Sequence, residues 1–197
     1  MQMRDRMEQF LKDALGIHEK DLLETIMRIA TIKHYTKGQP IYSQGAEVGF
    51  CSFLMEGVAG AFVYTQAGKQ IADNFATRMG EMITPLMDQQ KKALTSVFAM
   101  TTAEVFVIAN HDVESLFRAY PSFHSFLFSW LLDSYCKQWE LKNARYQMTA
   151  RGRYIFLLER YRGLDGVVSD KHLASFLDMS PETFSREKRS LRERKPD

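Results

Sequence analysis

The stretch Ser169–Leu191, S-D-K-H-L-A-S-F-L-D-M-S-P-E-T-F-S-R-E-K-R-S-L, constrains this chain most, because it leaves room for two short helices and a tight turn. Ser169 is a good N-cap, and Asp170 puts an acid in the first turn, where the helix dipole favours it. Leu173, Ala174 and Leu177 recur at i, i+1 and i+4, giving one apolar stripe. Asp178-Met179-Ser180 interrupts the pattern. Ser180 then caps a second helix, Pro181 takes N1 where its missing N–H costs nothing, and Glu182 sits at the positive end of the dipole. Phe184 and Leu191 face inward, which leaves Thr183, Ser185, Arg186 and Arg189 outward. Hydroxyls and guanidinium forks near a helix N-terminus are what a helix needs to reach base edges in a DNA major groove. A helical hairpin with a solvated charged face has the same composition, so the rest of the chain must weigh between the two.

Charge is uneven along the 197 residues. Residues 1–141 hold 13 Lys+Arg against 16 Asp+Glu, net −3, and residues 142–197 hold 13 against 8, net +5. A basic C-terminal quarter on a slightly acidic body fits a DNA-binding module joined to a second domain. A 45% hydrophobic content supplies a core. Cys51 and Cys136 are the only cysteines, too few and too far apart for a disulfide framework or a clustered metal site. The N-terminus is charged and lacks the apolar run of a signal peptide, and no apolar run reaches the ~18 residues of a membrane span. The expectation is a cytoplasmic protein with no membrane association.

Four segments follow. Residues 1–31 read as helical, with Leu22, Leu23, Ile26 and Ile29 as one stripe and Met7, Phe10, Leu11 and Leu15 as an earlier set. In residues 32–110, glycines at 38, 45, 57, 68 and 80 punctuate short β-rich runs at 41–42, 50–55, 58–64, 71–75, 95–100 and 105–108. Turn signals at that spacing predict an antiparallel sandwich or barrel, with a hairpin turn at Gln66-Ala67-Gly68-Lys69. Asp112 is placed to cap a short helix ending near Tyr120. Pro121 then opens a long helix that meets no Gly or further Pro up to about residue 147. At ~39 Å such a helix outruns one small barrel. Phe123, Phe126, Leu127, Trp130, Leu131, Ser134, Gln138 and Leu141 approximate heptad spacing, so the helix is expected to dimerise through Phe123, Leu127, Trp130, Leu131 and Leu141. A further helix, Arg153–Tyr161, is closed by Gly163-Leu164-Asp165-Gly166.

Helix, small barrel, long helix, helix-turn-helix: in that order the chain resembles the Crp/Fnr family of bacterial transcription regulators over nearly its whole length. The motifs that carry the resemblance are Lys37-Gly38-Gln39-Pro40-Ile41 with Gln44-Gly45, Glu56-Gly57-Val58, Gly68-Lys69, Gly80-Glu81, Thr102-Ala103-Glu104-Val105 and Tyr120-Pro121. The most specific is Leu173-Ala174 with Ser180-Pro181-Glu182-Thr183-Phe184-Ser185-Arg186 and Leu191, similar to the family's L-A-x-x-L-x-x-S-x-E-T-x-S-R-x-x-x-x-L. The resemblance implies an α+β fold: an antiparallel jelly-roll effector domain over 1–120, a dimerisation helix over 121–147 and a helix-turn-helix DNA-binding domain over 148–197. It implies a homodimer acting on a near-palindromic double-stranded DNA site, with RNA polymerase as a further partner and no enzymatic activity. Glu182 and Arg186 match positions that read bases in the family, Ser180 and Arg189 match positions near phosphates, and Arg153 is expected to brace the hinge.

Two departures matter. Family members usually continue from the recognition helix into a β-hairpin wing, whereas this chain reads Arg194-Lys195-Pro196-Asp197. The second departure lies in the effector cassette. Cyclic-nucleotide binders of the family carry an Arg that pairs with the cyclic phosphate, but no Arg occurs here between Arg78 and Arg118. Lys91 and Lys92 read as a solvated turn. The residues that correspond to an effector pocket are Phe62, Gly80, Glu81, Thr84, Leu86, Thr95, Ser96, Gln138 and Trp139, a lining suited to a small, weakly polar effector other than a cyclic nucleotide. No cofactor is expected: clustered Cys for iron–sulfur is absent, and haem would have to rely on scattered His and Met residues. Cupin-type metal chemistry is set aside, because no His falls between His34 and His111 to serve as ligand. One other reading remains open. A wingless family member could act as a heterodimerising interaction protein without binding DNA itself.

Overall fold

The computed structural model describes residues 3–193. The expected absence of a wing concerns residues outside that range. The chain runs α1 (Met3–Gln9), a π-helical turn (Phe10–Ala14), α2 (Lys20–Ile29), β1 (Thr31–Tyr35), β2 (Pro40–Tyr42), β3 (Phe50–Glu56), β4 (Ala59–Tyr64), β5 (Gln70–Ala76), β6 (Ser96–Ala99), β7 (Ala103–Ala109), α3 (Asn110–Ala119), α4 (Pro121–Gln147), α5 (Ala150–Arg160), a 3-10 turn (Leu164–Gly166), α6 (Asp170–Phe176) and α7 (Pro181–Arg192). The fold is α+β, with an antiparallel jelly roll followed by a long helix and a helix-turn-helix.

Two antiparallel sheets, ordered β1-β7-β3 and β2-β6-β4-β5, face each other. β7 shows why its strand reads as one apolar run. Ala103, Val105 and Val107 point into the space between the sheets, whereas Phe106 and Ile108 point out against the helices. β3 divides in the same way, with Leu54 inside and Cys51, Phe53 and Met55 on the helix side. Alternation in a strand thus disappears from the sequence when both faces are covered. The helix side is filled by Met7, Phe10 and Leu11, by Leu22, Leu23 and Ile26 of α2, and by Leu116 and Phe123.

Several local expectations need correction. β1 pairs with β7 from Thr31↔Val107 to Tyr35↔Ala103, although residues 31–35 carry no strand signal of their own. Only Tyr35 of its five residues is buried, so its pattern is too weak to read alone. α3 has Ala109 as N-cap with no side-chain cap, and Asp112 lies in the first turn instead. α5 starts a turn earlier than expected, because Thr149 caps it by accepting from the Gly152 N–H.

β5 carries a bulge. Ala61 pairs with Asn74 and Phe62 with Ala72, so Asp73 is the extra residue. The bulge puts Ala72 and Phe75 on one outer face of the barrel, beside Phe62, which alternation with Ala59 and Ala61 in β4 turns outward. There they join Leu141, Tyr154, Leu157, Leu164, Leu173, Phe176, Leu177 and Phe184 in one cluster. The C-terminal helices therefore share a core with the outer face of the barrel.

Candidate nucleic-acid interface

Local chemistry sets the two C-terminal helices. The Ser169 side chain accepts from the His172 N–H at the start of α6. Its end is a Schellman closure: Met179 N–H donates to Ala174 O at 2.9 Å and Asp178 N–H to Ser175 O at 3.2 Å. Asp178 takes the left-handed position, φ 54°, that glycine usually fills. Ser180 Oγ then accepts from Thr183 N–H at 3.2 Å, and Pro181 opens α7. Phe184 is fully buried edge-on to Tyr154, with ring centroids 5.2 Å apart, and Leu191 packs on the same core.

The opposite side of α7 is open. Glu182, Ser185, Arg186 and Arg189 are exposed, and with Ser190 and Glu193 they line one shallow groove. Thr183 is half-buried, and its hydroxyl accepts from Ser180 Oγ at 3.1 Å, so the two form the cap as well as the helix tip. The Glu182 carboxyl is held below its usual range by its own backbone N–H and by the Ser180 hydroxyl. Arg186 Nε lies 3.3 Å from Glu187 Oε1. Sequence reasoning missed Lys188. Its ammonium is nearly covered and lies 2.5 Å from Asp170 Oδ1, tying α7 to the first turn of α6. The signal was an acid and a base on two helices whose packing was not yet known.

Of the residues expected to form an effector pocket, Gly80 and Glu81 border one open cleft with Ala14, Arg78, Trp130 and Lys137, and the others do not line it. Phe62 is in the shared core outside the barrel. Gly80, φ 85°, sits where a Cβ would strike the Ala14 carbonyl. Glu81 accepts from the Thr77 and Arg78 N–H groups and pairs with Arg78 and, at 3.2 Å, with Lys137 of α4; these partners hold its carboxyl below the usual range against burial. Thr84 Oγ1 accepts from the Ser52 N–H at 2.7 Å, and Ser96 Oγ from the Gln44 N–H at 2.9 Å. Thr95 is half-buried, whereas Leu86, Gln138 and Trp139 are exposed. Between the sheets the space is occupied by Tyr35, Ile41, Tyr42, Val48, Leu54, Ile83, Val97, Val105 and Val107. Tyr42 Oη is 2.7 Å from Ser52 Oγ and donates to Phe50 O at 2.9 Å, so the polar groups there are satisfied within the chain. Lys91 and Lys92 are exposed in a turn.

α4 has two apolar faces. Phe123, Leu127 and Trp130 pack on the helix side of the barrel, with Trp130 edge-on to Phe53, and Leu141 lies in the shared core. The seam read from the sequence is thus partly intramolecular: of the five residues expected at a dimer interface, Phe123 and Leu141 are buried, Leu127 and Trp130 half-buried and Leu131 exposed. The exposed stripe is Phe128, Leu131, Leu132, Tyr135, Trp139 and Tyr146. Apolar side chains surround this helix, so periodicity could not say which face its own barrel would claim.

Among the described residues, no helix is long and apolar enough to cross a membrane, and no group of three or more His, Cys, Asp or Glu is placed to hold a metal. Residues 32–120 match the family of cyclic nucleotide-binding domains. Known structures share the architecture. FixK2 from Bradyrhizobium japonicum superimposes with a TM-score of 0.72 at 15% identity, over 84% of this chain and 85% of that one. CLP from Xanthomonas campestris, a c-di-GMP-responsive global regulator, gives 0.71 at 12%, over 89% and 92%. A proposed transcriptional regulator of the Crp/Fnr family from Eubacterium rectale gives 0.69 at 12%, over 92% and 87%. Among curated proteins no sequence match is found. Residues 32–120 are thus similar to cyclic nucleotide-binding domains. Taken whole, it has the fold of the Crp/Fnr regulators.

Proposed function

We propose that this protein is a sequence-specific DNA-binding transcription regulator that acts as a homodimer. The observation that carries this reading is the open face of α7. Its helix is capped at Ser180 and anchored at Phe184, and it presents Glu182, Ser185, Arg186 and Arg189 together to solvent. Arg186 is suited to bidentate contact with guanine, and Glu182 to accepting from cytosine N4. Dimerisation would use the exposed α4 stripe from Phe128 to Tyr146. Residues 1–120, 121–147 and 148–197 would then serve as regulatory domain, dimer helix and DNA-binding domain. The barrel would respond to a small effector other than a cyclic nucleotide, because no Arg occurs between Arg78 and Arg118 and Lys91 and Lys92 are exposed in a turn.

The test is selection of duplexes from a randomised pool by the purified full chain. Enrichment of a near-palindromic site with half-sites about one turn, ~34 Å, apart is expected. Enrichment of no sequence, with the protein folded and dimeric, would refute the reading and favour an interaction protein.

A further inference from the structure

β5 is the outer strand of the four-stranded sheet, so one of its edges lacks a strand neighbour. α6 lies against this strand. The Ala72 N–H donates to Ser175 Oγ at 3.1 Å, and that hydroxyl donates in turn to His172 O at 2.8 Å. His172 Nε2 is 3.1 Å from Gln70 Oε1, and its ring centroid lies 4.9 Å from that of Phe62. Phe176 packs edge-on to Phe75 at 5.0 Å. The Phe176 carbonyl accepts from both Nε and Nη2 of Arg145, in the last turn of α4, at 2.9 and 2.6 Å. Arg153 Nη1 donates to Arg145 O at 3.2 Å across the α4–α5 hinge. The first helix of the helix-turn-helix is therefore held by the barrel and by the long helix at once.

The exposed face of α7 takes no part in these contacts, so the docking does not cover the groove lined by Glu182, Ser185, Arg186 and Arg189. A clamp that shut the protein off by occlusion would cover that groove. What the contact does fix is direction. If α4 joins two copies, the distance between their α7 helices depends on how each α6–α7 pair sits on its own barrel. A pair tethered only by the Met148-Thr149 hinge would sample many directions and lose that freedom on binding, at a cost in affinity.

We infer that the outer edge of β5 is a dock that sets the direction of the recognition helix and, through it, the half-site spacing a dimer accepts, with His172, Ser175 and Arg145 as positioning residues. This rests on the DNA-binding reading above. The experiment uses the full chain, a His172→Ala/Ser175→Ala double variant, and Gln70→Ala, which removes the partner of His172 and an exposed hydrogen bond to the Tyr64 hydroxyl. Arg145→Lys, which keeps the charge but not the fork, is the conservative comparison. The first readout needs no DNA. Amide hydrogen exchange in β5 and α6 should quicken by about tenfold or more in the double variant, with β7 unchanged. The second is binding to the duplex that the parent selects, and to the same duplex with one base pair added between the halves. The parent should lose about 100-fold on the insertion. The double variant should bind the selected site about tenfold more weakly but lose less than about tenfold on the insertion. Unchanged exchange would show that there is no dock. Unchanged spacing dependence, or tighter binding, would overturn its positioning role. Should the parent select no duplex, the DNA-binding reading and the spacing role fall together, and exchange alone decides whether the dock exists.

Discussion

Arg186 stands on the solvent side of α7, two residues beyond the buried Phe184, with Glu187 as its only recorded partner among the described residues. That pair is exposed on the arginine side and weak, so it yields readily to a base edge. Arg186→Ala should cost about 1–3 kcal/mol on the selected site and relax preference at one base pair, while leaving random duplex nearly unaffected. Fluorescence anisotropy on both duplexes checks this, and an equal loss on both would make Arg186 a phosphate contact. Gly57 has φ 94°, and an added Cβ there would collide with the Thr102 carbonyl oxygen. Gly57→Ala should destabilise the protein by well over ~1 kcal/mol, measured by denaturant unfolding. A neutral effect would mean the β3–β4 turn can move away from the loop before β7.

At the scale of elements, α4 is the one whose surface is unexplained by its own chain. Phe128, Leu131, Leu132, Tyr135, Trp139 and Tyr146 follow spacings of three, four and seven along one side. Phe128→Asp with Leu132→Asp should yield monomers in sedimentation that keep the parent's circular dichroism and lose the selected duplex. A double variant that remains dimeric would place the interface elsewhere. Docking of α6 on β5 carries a pH dependence through His172. Partial burial, with Lys171 beside it, lowers its imidazole below the usual 6.5. Protonation therefore favours the undocked form: the contact is complete above pH 6.5 and weakens as pH falls through the lowered value. Asp73 opposes this, since burial raises its carboxyl from 3.8 while Arg145 pulls it down, and docking eases as that group takes up its proton. Protection of the β5 amides, corrected for the intrinsic exchange rate at each pH, should therefore fall between pH 7.5 and 5.5 in the parent and much less in His172→Gln. An equal fall in both would assign the effect to another group.

For the whole molecule the question is what reaches the barrel. A cyclic phosphate taken from water needs a cation and donors to replace its hydration. Lys91 and Lys92 are solvated, Glu81 is already satisfied, and the hydroxyls of Tyr42, Ser52 and Thr84 bond one another or the backbone. Calorimetry with cyclic AMP or cyclic GMP should show no binding tighter than ~100 μM, about −5.5 kcal/mol. Tighter binding would require the space between the sheets to open.

Across these scales, local chemistry determined what the sequence could determine. Ser169, Ser180-Pro181 and Tyr120-Pro121 marked helix starts because a cap is decided within a few residues. The strands of the barrel announced themselves through apolar runs between glycine turns, and the exposure of Arg186 and Arg189 followed from the period of α7 around Phe184. Tertiary structure decided the rest. β1 exists because β7 offers it a partner, not because T-I-K-H-Y is a strong strand. The residues around Gly80-Glu81 align with a pocket motif, yet the Gly80 backbone backs onto the Ala14 carbonyl and the Glu81 carboxylate is taken by Arg78 and Lys137. Which face of α4 meets the barrel, and that Phe62 and Phe75 complete the core of the C-terminal helices, depend on a bulge at Asp73 and on packing between segments some hundred residues apart. Periodicity within a segment records that a face is apolar; only the assembled fold selects what that face is buried against.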